Sequence, residues 1–234
     1  MKKNIFLLAL LTTIFSYSHA QSKSSSVRLN AYGSYVFDDK VDDYYSSTSF
    51  YNGKIKGGFL WGAGLEYRVH DYYGIELLYQ RLDTKAPIEY YDPNALGDHI
   101  KNADLDVAID YIMLGGARSL RPGGGKAEPY GGFMLGMAIV DTKNPDNGNS
   151  SNSTKFAWGL RLGANIWASE KVGIKLQTQL LSIPQGAGGG VYFGTGGAGV
   201  GVSTYSSMLQ FVLGGGLTFK LGGATHTTQT PTNQ

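Results

Sequence analysis

The side chains best suited to acid–base work are four histidines, at positions 19, 70, 99 and 226. Imidazole catalysis needs a carboxylate or hydroxyl partner. His70 precedes Asp71 between two apolar segments, where an aspartate ordinarily serves turn geometry. His99 follows Asp98 but has no serine nearby. Two glycine-rich stretches imitate phosphate-binding motifs. The run from Gly194 to Gly199 has the letters of a dinucleotide fingerprint without a helix after it, and Lys126 is followed by Ala127 where a phosphate loop needs Ser or Thr. Asp38, Asp39, Asp42 and Asp43, with Asp92, Asp98 and Asp104, could meet divalent cations, but they lack ordered ligand spacing and read as a solvated face. The adjacent Tyr44, Tyr45, Tyr90 and Tyr91 suit a contact surface. No enzyme, cofactor or metal centre is expected from these patterns.

A second set of charged residues is embedded singly in apolar segments: Arg28, Glu66, Glu76 and Asp110, then Arg118, Arg161, Lys175 and Lys220. Their chemistry depends on the elements that hold them. The chain opens with Lys2 and Lys3, an apolar run over 5–15 and the small-residue exit Ser18-His19-Ala20, the layout of a secretory signal peptide, with cleavage expected after Ala20. Removing that leader leaves 18 basic against 18 acidic side chains, so no charge excess points to nucleic acid. Zero cysteines exclude disulfide stapling in an exported chain. The 34 glycines and 16 tyrosines against seven prolines favour short strands over helices.

Alternation of apolar and polar residues recurs eight times and a helical period survives nowhere after residue 26, so the mature chain is expected to be all-β. The segments are 27–37, 58–68, 75–80, 105–119, 132–139, 156–166, 172–180 and 209–220. Phe59, Trp61, Ala63, Leu65 and Tyr67 oppose Gly58, Gly62, Gly64, Glu66 and Arg68 in the second; Val107, Ile109, Tyr111 and Met113 oppose Asp106, Ala108 and Asp110 in the fourth. Long connections (38–56, 83–104, 141–155, 183–205) alternate with short ones (69–73, 120–128, 168–171). All long loops therefore belong at one rim and all short turns at the other, as in an eight-stranded antiparallel up-and-down transmembrane β-barrel.

A soluble barrel would place the apolar face inside and a face of glycines in water, where glycine costs entropy and packs nothing. With the faces exchanged, the glycines line a narrow lumen and make room for Arg161 and Glu66. Aromatic residues gather at both ends, Tyr67, Tyr72, Tyr73, Tyr130 and Trp167 at the short-turn rim and Tyr35, Phe37, Phe59, Tyr79 and Phe156 at the other, as interfacial girdles do. The leader, "GGFLWGAGLEYRVHDYYGIELLY", "EPYGGFMLGMAIV", "WGLRLGANIW" and "FVLGGGLTFKLG" together resemble the small outer-membrane β-barrel superfamily, the porin-like outer-membrane β-barrel domain proteins. The resemblance implies an outer-membrane location, surrounding lipid and lipopolysaccharide, and delivery by the barrel-assembly machinery. One departure is that Phe219 is followed by a polar tail, 222–234, where many such barrels end on an aromatic residue.

Within such a barrel Glu66 and Glu76 each lie five residues from position 71 and so face one another, with repulsion. Arg28 and Lys220 are the expected neutralisers, with Lys175 and Arg118 farther round, while Asp110 and Arg161 could meet across the lumen. The expected organisation is a signal peptide over 1–20, a polar segment over 21–26, the barrel over 27–221 and the tail. The long loops are expected outside the cell and both termini in the periplasm. The leading expectation is a non-enzymatic barrel with a salt-bridged plug that anchors surface loops; the alternatives are a narrow channel for small solutes or ions and a lipid-modifying enzyme.

Overall fold

A computed structural model describes residues 26–46, 49–91, 100–120, 126–145, 148–184, 191–194, 201–204 and 208–221. The leader with its cleavage point at Ala20, the tail, and His99 with Asp92 and Asp98 lie outside the described residues. The described residues form twelve strands: β1 (Ser26–Val36), β2 (Asp39–Ser46), β3 (Ser49–Ile55), β4 (Gly58–His70), β5 (Tyr73–Tyr91), β6 (Ile100–Ser119), β7 (Ala127–Lys143), β8 (Ser150–Trp167), β9 (Val172–Ile183), β10 (Val191–Gly194), β11 (Gly201–Thr204) and β12 (Met208–Leu221). Eight of them close into an antiparallel barrel in the order β1-β4-β5-β6-β7-β8-β9-β12, with β12 paired back onto β1.

The barrel is staggered. Following register partners from Arg28 gives Glu66, Glu76, Gly115, Met134, Gly159, Leu181 and Gln210. Gln210 lies beyond Val212, the partner of Val36 at the far end of β1. One circuit thus climbs about ten residues, which tilts the strands by about 40°. Short turns close one rim: Ala168 and Ser169 amides donate to Val172 O, and Ser169 Oγ accepts from the Val172 amide at 3.1 Å. The β7–β8 connection turns on Gly148, whose φ of 74° lies where a side chain is disfavoured.

On β4 the outward residues Phe59, Trp61, Leu65, Tyr67 and Val69 are all exposed. They span about 33 Å of strand at 3.3 Å per residue. Tilted by about 40°, this gives a band about 25 Å tall, the height of an outer-membrane apolar belt. Of the inward residues between them, Gly62, Gly64, Glu66 and Arg68 are small or polar and Leu60 alone is apolar.

Beyond the belt the polarity of the faces inverts. Ala86, Ile88, Leu105 and Val107 are buried inside, while Lys85 meets Asp104 (3.6 Å) and Asp106 (3.3 Å) on the outside. This is the pattern of a wall standing in water, and it explains two departures from expectation. The stretches expected as long loops are largely strand: β5 and β6 stay paired out to Tyr91↔Ile100, the 38–56 segment is a β2–β3 hairpin pairing with β5 through Gly53↔Ile88, and β10 pairs with β11 in the 183–205 segment. In β6, moreover, Val107, Ile109, Tyr111 and Met113 face the interior and Ile112 and Leu114 face outward, opposite to expectation. The run chosen there crosses the inversion, so hydrophobicity alone misassigns its phase; the pair Glu76↔Gly115 fixes it. Tyr130 also departs from the expected girdle. It is 4% exposed inside the lumen, sharing the parity of Gly132 and Met134.

Candidate functional site

Each lumen side chain is placed by strand parity, and glycine provides its room. Glu66 and Glu76 are register partners, but their carboxylates lean apart along the diagonal. A Cβ at Gly64 would fall 2.1 Å from Glu76 Oε1, and one at Gly74 would fall 2.7 Å from Glu66 Oε1. The two charges thereby acquire separate cations, while Asn30 Nδ2 donates to both. Glu76 pairs with Arg161 and accepts from Tyr32 Oη and Asn30 Nδ2, both at 2.6 Å. Glu66 meets Lys175 at 3.2 Å, Arg68 at 3.4 Å and Arg28 at 3.8 Å.

A third carboxylate closes the short-turn rim. Glu128 meets Arg28 at 3.3 Å and Arg68 at 3.2 Å, and accepts from Ser119 Oγ at 2.6 Å and Trp167 Nε1 at 3.1 Å. Trp167 also lies beneath the Arg28 guanidinium, 4.9 Å from the ring centroid, so it caps the mouth from within and does not belong to a lipid-facing girdle. Lys175 lies 5.2 Å and 5.8 Å from the rings of Tyr130 and Tyr32, a favourable setting for a desolvated ammonium. Four cations, Arg28, Arg68, Arg161 and Lys175, thus surround three carboxylates, all buried.

Of the residues expected in the lumen, Arg28, Glu66, Glu76, Arg161 and Lys175 come together, and three do not join them. Asp110 sits on the outer face, accepting from Tyr79 Oη at 2.7 Å and pairing with Arg81 at 2.9 Å, because β6 has the opposite phase. Arg118 is likewise outside, stacked 5.6 Å from Tyr73. Lys220 is half-buried beside Arg28, its register partner, and makes no ion pair with the described residues. A second cation beside Arg28 repels it instead of neutralising Glu66. Sequence reasoning put Arg68 on the face of Glu66 without including it in the network, and missed Glu128. The parity of Gly64 and Glu66 extends to Arg68, so that signal was present, whereas Glu128 fell in a segment expected to be a turn.

Above the charged layer the lumen becomes apolar. Leu60, Leu82, Ile109 and Leu181 are all 0% exposed and fill the section toward the long-loop rim. Tyr111, also fully buried, crosses the barrel to donate to Gln210 Oε1 at 2.8 Å. The remaining candidates lack chemistry: His70 is exposed and stacked on Tyr72, and Asp71 contributes its carbonyl oxygen to Arg68. Among the described residues no group of three or more His, Asp or Glu could hold a metal ion.

Comparison with known proteins matches this geometry. The structure is similar to Neisserial surface protein A (NspA), with 14% sequence identity over 85% of this chain and 97% of that one and a TM-score of 0.50. It is also similar to the outer membrane protein OprG from Pseudomonas aeruginosa, with 13% identity over 85% and 97% of the two chains and a TM-score of 0.52. At such identities the likeness concerns the fold. No curated protein sequence matches the chain. The family described as outer membrane protein beta-barrel domain matches residues 6–205. The closed eight-stranded barrel, its lipid-facing belt and this match together place the chain in the outer membrane protein β-barrel domain family.

Proposed function

We propose that this protein is a non-enzymatic, sealed barrel of the outer membrane that carries a raised surface structure for membrane integrity or contact with an external ligand. The carrying observation is the two-layer closure of the lumen. The Arg161–Glu76 pair bridges β8 and β5 across the interior, and Leu60, Leu82, Ile109 and Leu181 fill the section above it. An ion crossing this barrel would break a buried pair, at about 3–5 kcal/mol, and then shed its hydration among leucines.

The long-loop rim faces the exterior and the short turns and both termini face the periplasm, in keeping with the asymmetry of the connections. The wall of β5, β6, β7 and β8, extended by the β2–β3 hairpin, then stands at the level of lipopolysaccharide sugars, with Arg81, Asp83 and Asp110 marking the top of the apolar belt. Surrounding outer-membrane lipid, lipopolysaccharide and the barrel-assembly machinery are its partners. Purified protein in planar bilayers is expected to show no sustained unitary current; a steady open conductance from wild-type protein contradicts a sealed lumen and favours the narrow channel.

A further inference from the structure

On the lipid-facing wall one charge stands alone. Between the Arg81–Asp110 pair and the short turns, the outward side chains of the described barrel residues are uncharged except at Arg118. It is not part of the turn itself. Leu120, the next outward residue toward the short-turn rim, is 68% exposed, and Gly116 and Leu114 continue the same face toward mid-membrane. A cation facing lipid is tolerated only near the headgroups, which sets Arg118 at the level of phospholipid phosphates. It makes no ion pair with the described residues, and the Tyr73 ring, 5.6 Å away, holds its guanidinium by cation–π contact. The planar fork it presents suits two oxygens of one phosphate.

Directly toward mid-membrane from Arg118 the wall is indented. Gly116 is the register partner of Ile75 on β5 and of Phe133 on β7, and nothing lies within 4 Å of where its Cβ would stand. Ile75 and Phe133 are both exposed and stand two strand spacings apart, about 10 Å. The furrow between them admits a hydrocarbon chain and opens onto Arg118. One side is closed at Gly131, the register partner of Arg118, where Leu162 Cδ2 leans within 3.2 Å of the Cβ position.

The charges around the furrow select the headgroup. Arg118 and Lys126 are the exposed charges at this end of β6 and β7, while Glu128 is buried in the lumen with Arg28 and Arg68. Asp71, in the neighbouring turn, forms no ion pair with Arg118 and gives its carbonyl oxygen to Arg68. A zwitterionic headgroup would bring a third cation beside two that lack a carboxylate, whereas a headgroup with net negative charge leaves the phosphate on Arg118 uncontested.

We propose that Arg118, Tyr73 and the furrow at Gly116 form a binding site for one anionic glycerophospholipid of the inner leaflet, with the phosphate on Arg118 and an acyl chain between Ile75 and Phe133. The leaflet rests on the orientation proposed above, with the short turns toward the periplasm.

Native mass spectrometry of the purified full chain, with phosphatidylglycerol, phosphatidylethanolamine and lipid A offered in separate titrations, tests the site. The wild-type protein should retain one phosphatidylglycerol on the order of tenfold more than phosphatidylethanolamine. Arg118→Gln should abolish that preference. Gly116→Leu, which keeps the charge but fills the furrow, should abolish it too, and a preserved heat-dependent gel shift shows that each variant barrel is closed. Equal retention of the two phospholipids by the wild-type protein overturns the site, and so does a preference that survives Gly116→Leu, because charge alone would then hold the lipid. Lipid A retained in their place, and lost in Arg118→Gln, puts this rim in the outer leaflet and overturns the orientation together with the site. The sealed lumen is read separately, by the bilayer current.

Discussion

Glu66 and Glu76 illustrate how a lumen this narrow tolerates two carboxylates at one register position. The sequence places them opposite each other, and repulsion follows from that alone; the diagonal escape onto Gly64 and Gly74 depends on side-chain direction, which alternation does not carry. Gly64→Ala should displace Glu76 from Arg161 and destabilise the barrel by about 1–3 kcal/mol in urea unfolding. Gly116→Ala is the control, since nothing lies within 4 Å of its Cβ, and its midpoint should stay within about 0.5 kcal/mol. Glu76→Gln keeps the volume but leaves Arg161 as a buried, unpaired cation; the expected loss is about 3–5 kcal/mol. An unchanged midpoint for Glu76→Gln would show that this pair does not hold the lumen shut. Arg28, Glu66, Arg161 and Lys175 were legible in the sequence because each interrupts an apolar alternation. Glu128 was not, because the 120–128 stretch that contains it reads as a short connection when the strand is unseen.

Among the elements, β6 separates what pattern can and cannot decide. Its existence and approximate bounds follow from 105–119, but both of its faces are apolar near the membrane border, and only pairing with β5 shows that Leu114 faces lipid and Met113 the interior. Leu114→Arg should therefore cost about 2–4 kcal/mol, the penalty for a cation on the lipid face near the bilayer midplane. A negligible cost would restore the opposite phase. The β2–β3 hairpin is a second case, since its residues read as an acidic loop. Two consecutive aspartates dock it: Asp38 accepts from the Gly57 amide at 2.6 Å and pairs with Lys54, and Asp39 accepts from the Leu209 amide at 2.9 Å. The Lys54 ammonium and the Gly57 amide hold the Asp38 carboxyl below its usual range. A depressed carboxyl adds stability above its unfolded pKa of about 4 and loses it as pH falls through the lower folded value. The Asp38 contact should persist at pH 5 and weaken well below pH 4, whereas Asp39, whose carboxyl is raised by burial, protonates before it as pH falls. Asp38→Ala should speed tryptic cleavage at Lys54 and Lys56 at neutral pH without moving the barrel's unfolding midpoint; equal cleavage rates would mean that the aspartate does not hold the hairpin.

For the molecule as a whole, eight strands, one stagger of about ten residues and an apolar belt about 25 Å tall are mutually consistent requirements of one closed barrel. The even strand count and the lipid-facing aromatic residues were readable because they rest on side-chain period, which the membrane enforces. The inversion of the faces above the belt was hidden, because apolar-in and apolar-out strands look identical until pairing sets their phase. The central claim is a sealed barrel resident in the outer membrane, and its most direct test is to fractionate cells expressing the full chain and compare unheated with boiled samples of each fraction by electrophoresis. The protein should appear in the outer-membrane fraction, with the unheated band migrating apart from the boiled one because the closed sheet survives detergent. A soluble periplasmic product whose mobility is the same before and after boiling would contradict it.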